Sequence, residues 1–107
     1  RLFNIMYILV VYVPTSHAEP LKSALFDAGA GSYAGYNRCS WQTEGMGQFR
    51  PLEGSNPFIG KKDVIEQVKE LRIEMACEEE LIPVLTDIIR KNHPYEEPAF
   101  HFYKVIF

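Results

Sequence analysis

A nine-residue apolar run at residues 5–13 constrains the fold of this 107-residue chain more than any other feature. Nine residues are too few to cross a bilayer as a helix, and only Arg1 places a positive charge ahead of them, which is poor support for a signal peptide. Continuous apolar character over this length is typical of a strand that is buried on both faces. We therefore predict a central strand over residues 5–13, ended by Pro14.

Composition limits the size and the partners of the fold. A hydrophobic content of 47% over 107 residues predicts one domain, residues 1–107, with a single core. Met6 would make a natural start, so residues 1–5 are predicted to be an extension. The net charge of −3 provides no basic surface for nucleic acid. Cys39 and Cys77 lack CxxC spacing, which favours free thiols and a cytoplasmic protein, with one disulfide left open.

Two amphipathic segments predict helices. The first begins within residues 16–20 and ends before Gly29, and its apolar residues recur at helical spacing, namely Leu21, Ala24, Leu25 and Ala28. The second follows three glutamates at residues 78–80, which suit a helix N-terminus, and closes on Arg90 and Lys91.

Three further strands and a long loop complete the pattern. Mixed alternation predicts a second strand over residues 36–44, and a loop follows at residues 45–60, which hold four of the seven glycines. Strict alternation at residues 70–75 predicts the third strand, with a bulge near residues 69–70 that brings Val68 into register. Residues 99–106 form the last strand.

The resulting order is β-α-β, long loop, β-α-β. It predicts an α+β, ferredoxin-like split βαβ fold: a four-stranded antiparallel sheet with two helices on one face and the long loop between strands 2 and 3. The other face of the sheet is left uncovered, and aromatic residues make up 13% of the chain. Because an exposed apolar face of this size marks an interface, we expect self-association.

Two blocks of residues carry a family resemblance. Residues 47–51 (Gly-Gln-Phe-Arg-Pro) with 56–60 (Asn-Pro-Phe-Ile-Gly), and residues 93–99 (His-Pro-Tyr-Glu-Glu-Pro-Ala), resemble the YqfO-type domain. That domain lies in the middle of many Nif-three-like proteins and also occurs alone, and it is similar to CutA and PII signalling proteins. The resemblance covers about residues 6–106 and implies a ferredoxin-like fold that forms homotrimers through its sheets.

The longer relatives carry functions that the resemblance does not transfer. Nif-three-like proteins bind two metal ions through lobes that flank this domain, and some are labelled as GTP cyclohydrolases. The present sequence contains no such lobes, so we expect neither that metal site nor that activity here.

Candidate binding residues occur where polar side chains stand beside Gly or Pro. We predict a ligand-binding pocket that includes Gln48, Phe49, Arg50 and Tyr95. An Arg suits phosphate or carboxylate, although Arg50 could instead pair with Glu53.

A divalent metal ion is the predicted cofactor, held by His17, Glu19, His93 and Glu97, because His and carboxylate ligands suit zinc or copper. The spacing matches no metal motif, and the alternative makes His17 a helix-start residue and His93 a helix stop whose side chain caps the last carbonyls. Adjacent Glu96 and Glu97 on extended chain should point to opposite sides.

Two classes of function remain open at this level. The first is an oligomeric module that binds or senses a small ligand or metal, without membrane or nucleic acid. The alternative is an accessory or catalytic part of a metal-dependent hydrolase. No catalytic triad, metal motif or phosphate loop is found, and both cysteines lie on predicted strand positions where buried thiols are inert, which favours the first.

Overall fold

Four antiparallel strands form one sheet in the order β2-β3-β1-β4, which is the ferredoxin-like order predicted from the sequence. The structure is a computed structural model and describes residues 5–106. Most of the predicted extension, residues 1–4, lies outside these described residues. The elements are β1 (Ile5–Pro14), α1 (Ala18–Asp27), β2 (Trp41–Phe49), β3 (Glu66–Cys77), α2 (Ile82–Asn92) and β4 (Phe100–Ile106).

Both helices pack on the same face of the sheet. Alternate residues of β1 and β3 point to this face and form the core with apolar residues of the helices, namely Leu9, Val11, Val13, Leu21, Leu25, Ile73, Met75, Cys77, Leu85 and Ile89. All of these are at most 3% exposed. The buried β1 strand that the apolar run predicts is thereby confirmed, and so are the two helices on one face.

A 3-10 turn precedes each α-helix, and among the described residues neither helix has a side-chain hydrogen bond that caps its N-terminus. A 3-10 turn, Thr15–His17, precedes α1, which begins at Ala18 within the predicted window. Gly29 follows the helix with φ +110°, the left-handed conformation that glycine adopts most readily. A second 3-10 turn, Glu79–Leu81, precedes α2. Neither helix within residues 5–106 is long and apolar enough to cross a membrane.

The second strand lies five residues further along the chain than predicted. Residues 36–40 are irregular, and β2 (Trp41–Phe49) continues through Gly45 and Gly47, which the sequence had placed in the loop. Glycine is depleted in strands, and that preference misled the prediction. The strand persists because every residue from Trp41 to Phe49 pairs with β3. The loop between the strands is therefore residues 50–65.

The predicted bulge near residues 69–70 is absent. The pairing between β2 and β3 is continuous from Trp41↔Glu74 to Phe49↔Glu66. Val68 lies on the sheet face opposite to Ile73, and no irregularity is needed to put it there. Val68 departs from the core pattern because β1 pairs with β3 only as far as Pro14↔Glu70. Beyond that point β2 and β3 project as a hairpin that the helix layer does not cover. The longest dimension of the molecule is 53 Å.

Candidate ligand site

A cavity of about 340 Å³ lies where the projecting hairpin meets the segment between α2 and β4. Three elements surround it: the open face of the sheet, loop 50–65 and residues 95–99. Its lining residues are Tyr12, Gly47, Gln48, Phe49, Pro51, Ser55, Pro57, Phe58, Ile59, Glu70, Tyr95, Glu96, Glu97 and Ala99. The volume falls at the lower end of the range of ordinary ligand pockets.

A carboxylate is held in place at the sheet side of this cavity. The Tyr95 hydroxyl donates a 3.0 Å hydrogen bond to Glu70 Oε2. Gly47 lies beside Glu70, and a Cβ at that position would overlap the carboxylate. Burial, together with the bond to Glu70, raises the pKa of Tyr95, so its hydroxyl remains a donor at neutral pH. Glycine in the strand is thus the residue that makes room for Glu70.

The His93 ring joins the helix layer to the sheet and is 6% exposed. The Tyr95 backbone N–H donates to its Nδ1 at 3.1 Å, so Nε2 carries the proton and donates to Tyr12 O at 2.6 Å. Burial lowers the pKa of His93, and the Tyr12 bond and the nearby Glu70 offset this only in part. Both ring nitrogens are therefore engaged within the chain: Nε2 holds the ring to β1, and Nδ1 holds the Tyr95 backbone.

Pro94 restricts His93 to an extended backbone, with φ −86° and ψ 138°. The alternative role, a side chain that caps the last carbonyls of α2, is wrong. The backbone N–H of His93 bonds Ile89 O, while the ring reaches Tyr12 on β1.

Loop 50–65 is ordered by its own hydrogen bonds and by one tether to the segment before β4. The Asp63 N–H donates to Pro51 O at 2.7 Å, which closes the loop at its base. The Asn56 N–H donates to Glu96 Oε1 at 2.9 Å. These contacts order the loop and place its apolar residues over the cavity.

The predicted ligand residues separate into two groups. Gln48, Phe49 and Tyr95 line the cavity, and the rings of Phe49 and Tyr95 meet edge to face at 5.8 Å. Arg50 is exposed and does not line the cavity. The alternative pairing of Arg50 with Glu53 is not formed among the described residues, where Glu53 instead pairs with Lys62 at 3.5 Å.

The predicted metal residues are only partly brought together. The His17 ring contacts Phe58 edge to face at 5.5 Å, and Phe58 and Glu97 both line the cavity. Glu19 is turned to Lys22, with a 3.1 Å ion pair. Within residues 5–106, no three His, Cys, Asp or Glu side chains are grouped as metal ligands would be.

The backbone bends at residues 94–97, and both Glu96 and Glu97 line the cavity. The expectation that extended chain would separate them is therefore wrong.

Sequence reasoning missed Glu70, Gly47 and Tyr12 as site residues. Glu70 looked like an ordinary solvent-facing residue of an alternating strand, and Gly47 looked like loop. The offset of Val68 from the alternation was the available signal, because it marks where the apolar positions of β3 switch from the helix-covered face to the open face that borders the cavity.

The open face of the sheet continues from the cavity across all four strands. A row of paired residues crosses it: Trp41, Glu74, Val10 and His101. Trp41 is 62% exposed, and Tyr103 in the neighbouring row is 40% exposed. Arg72 donates to the Tyr12 hydroxyl at 3.0 Å, so Tyr12 belongs both to this face and to the cavity wall.

Comparison with known sequences identifies bacterial relatives. No protein-family model matches the chain. It is 44% identical over 98 residues to the GTP cyclohydrolase 1 type 2 homolog of Halalkalibacterium halodurans, which covers 92% of this chain and 26% of the relative. It is 40% identical over 97 residues to the protein of the same name from Bacillus subtilis, with 91% and 26% covered. The chain thus spans about a quarter of the length of the curated relatives it matches.

Solved structures give the same result. A Bacillus cereus protein related to NIF3 superposes with a TM-score of 0.81 at 36% identity, over 98% of this chain and 27% of that one. CutA1 from Pyrococcus horikoshii superposes with a TM-score of 0.67 at 24% identity, over 94% of this chain and 83% of the CutA1 chain. The matches to the GTP cyclohydrolase 1 type 2 homologs and to the NIF3-related protein confirm the predicted relationship to YqfO-type, Nif-three-like proteins. The match to CutA1 confirms the ferredoxin-like fold.

Proposed function

We propose that this chain, a relative of the YqfO-type segment of Nif-three-like proteins, is a small-ligand-binding module that acts as a homo-oligomer. The observation that carries the proposal is the cavity of about 340 Å³ with aromatic walls and one fixed carboxylate. Apolar concave sites with few, well-placed polar groups are the usual form of ligand pockets.

The support for self-association comes from the open face. Trp41 and Tyr103 are exposed there, beside the Arg72–Tyr12 contact that also borders the cavity. Burial of this face against other copies of the chain would place the cavity at the edge of the interface. The likeness to CutA and PII proteins suggests three subunits, so the proposed assembly is a homotrimer.

The predicted divalent metal site of His17, Glu19, His93 and Glu97 has less support than the cavity. His93 uses both ring nitrogens within the chain, and Glu19 is paired with Lys22. A metal would have to displace both sets of contacts.

The alternative, a part of a metal-dependent hydrolase, draws on the names of the longer relatives. Those relatives are about four times as long as the matched segment, and the described residues that line the cavity include no His and no Cys. The binding module is therefore the function we propose.

Light scattering after size exclusion tests the assembly. The chain has a mass of 12.3 kDa, and we expect about three times that mass at micromolar concentration. Trp41→Ser removes an exposed side chain from the open face and should lower the mass, whereas Val84→Ser, at an exposed site on α2, should not. A monomer for the unmodified chain would refute the oligomer.

Thermal-shift screening tests the ligand site. Unmodified chain is heated with small amines, alcohols, carboxylates, nucleotides or zinc chloride, each at millimolar concentration. A ligand that binds the folded state raises Tm by mass action. Absence of any shift across all five classes would refute the cavity as a ligand site.

A further inference from the structure

The walls of the cavity carry negative charge and no positive charge. The described residues that line it include Glu70, Glu96 and Glu97, and none of the described lining residues is Lys, Arg or His. Phosphate and carboxylate ligands are held in proteins by cationic side chains or by clustered N–H donors. The cavity therefore repels an anion and does not suit the phosphate or carboxylate ligand that Arg50 had suggested.

Glu70 presents one oxygen that has no partner. Its Oε2 accepts the Tyr95 hydroxyl, and its Oε1 accepts no hydrogen bond from any of residues 5–106. Oε1 lies beside Gly47, in the space that a side chain would otherwise fill. No buried side-chain oxygen in this part of the chain is left without a partner, so Oε1 is not fully buried, and Glu70 lines the cavity. It is a pre-positioned acceptor for an N–H group of a ligand.

The remaining walls are apolar or aromatic. Phe49, Phe58 and Tyr95 supply rings, and Pro51 and Ile59 supply aliphatic surface. The faces of aromatic rings attract cations, and the attraction is strongest where water is excluded. A volume of about 340 Å³ suits a ligand of roughly one ring rather than a dinucleotide or a peptide.

We propose that the cavity binds a small organic cation, with an ammonium or amidinium group against Glu70 and an apolar body between the aromatic rings. This inference rests on the proposed function, that the cavity is a ligand site, and it adds the chemical class of the ligand. A hydrated metal ion would satisfy the carboxylate but leave the apolar walls unused.

Matched probes of one size test the charge requirement. Phenethylamine, phenethyl alcohol and phenylacetate share a ring and differ in the charge of the end group. Titration calorimetry on the unmodified protein should give affinity in the order amine, alcohol, acid, with the amine at least about tenfold tighter than the alcohol. Raising sodium chloride from about 0.05 M to 0.5 M should weaken the binding of the amine and leave the affinity for the alcohol unchanged.

Glu70→Gln tests the residue. The substitution keeps an acceptor for Tyr95 and the side-chain shape, and it should weaken phenethylamine about tenfold or more while leaving phenethyl alcohol unchanged. Glu44→Gln is the control, because Glu44 is an exposed carboxylate on the neighbouring strand β2 and lies outside the cavity. It should leave both affinities unchanged.

The outcomes separate the two proposals. If phenylacetate or adenosine monophosphate binds and the amine does not, the cavity is a ligand site but the cation is wrong. If zinc binds, Glu70→Gln abolishes that binding and the amine does not bind, the proposal of an organic cation as the ligand is also wrong. If none of the probes binds, the proposed function itself fails. Because the salt series uses only unmodified protein, the test stands even if Glu70→Gln does not fold.

Discussion

The carboxylate of Glu70 fills the space beside Gly47 that a β-carbon would occupy. The two residues belong to neighbouring strands, and Gly47 pairs with Val68, two residues from Glu70. Gly47→Ala should therefore push Glu70 away from the Tyr95 hydroxyl. Overpacking of this kind costs about 1–3 kcal/mol, and urea unfolding should show a free energy of unfolding lowered by that amount.

Gly45→Ala is the matched control for this prediction. Gly45 lies in the same strand two residues earlier, and a β-carbon there meets nothing within 4 Å. Alanine also restricts the unfolded chain more than glycine does, so Gly45→Ala should leave stability unchanged or raise it by about 0.4–1 kcal/mol. Equal losses for the two variants would contradict the assigned role of Gly47.

His93→Gln should destabilise the protein. The substitution removes a ring that bridges Tyr12 O and the Tyr95 N–H in a buried position. Buried groups left without partners cost about 1–3 kcal/mol, and Tm should fall accordingly. Lys91→Gln, at an exposed position on α2 away from the open face, is the control and should change Tm little.

The same residue should make stability depend on pH. Burial lowers the pKa of His93 below that of the unfolded chain, about 6.5, so the unfolded state binds more protons once the pH falls below that value. This contribution to stability is complete above about pH 6.5 and is lost as pH falls from there through the folded-state pKa. His93→Gln should flatten the Tm-against-pH curve between about pH 7.5 and 5, and an unchanged slope would contradict the assignment.

The sequence predicted the fold where local patterns and packing agree. The apolar run of β1 and the apolar stripes of both helices all pack into the same core, so periodicity alone was enough to identify these elements. The second strand failed because its pairing to β3 overrides the low strand preference of Gly45 and Gly47. Such an override depends on a partner strand and is invisible in a local window.

The candidate site was predicted only in part for a related reason. Phe49, Tyr95 and Glu97 were found through the Gly- and Pro-rich blocks that hold them, and these residues do line the cavity. The His93 ring bonds Tyr12, 81 residues earlier in the chain, and the sequence offers no sign of that contact. Topology makes the contact, because α2 ends beside the end of β1.

The two cysteines should differ sharply in reactivity. Cys77 is 1% exposed in the core, and burial, with a smaller effect of Glu78, raises the pKa of its thiol to about 11. Cys39 is exposed in the irregular segment before β2, which corrects the prediction that both thiols are buried. At about pH 8, Ellman's reagent should therefore modify one thiol in the folded protein and a second only after unfolding, since the thiolate is the reactive form. Rapid modification of both would show that the end of β3 opens.

The tether between Glu96 and Asn56 should control the mobility of loop 50–65. The Asn56 N–H donates to Glu96 Oε1, and this bond joins the loop to the segment before β4 across the cavity. Glu96→Ala removes the acceptor, so amide exchange at Asn56 should become faster while exchange in the core strands stays unchanged. Loss of one bond of this kind corresponds to about 1–3 kcal/mol, or roughly a 5- to 160-fold faster exchange at that amide.

Glu97→Ala is the control for the tether, because it removes the same charge one residue away. Glu97 lines the cavity and makes no hydrogen bond or ion pair within residues 5–106. Its loss should leave exchange at Asn56 as it is in the unmodified protein. If both variants accelerate exchange equally, the loop responds to the charge at the cavity edge and not to the Glu96 hydrogen bond. If neither does, the base of the loop, where the Asp63 N–H bonds Pro51 O, holds it alone.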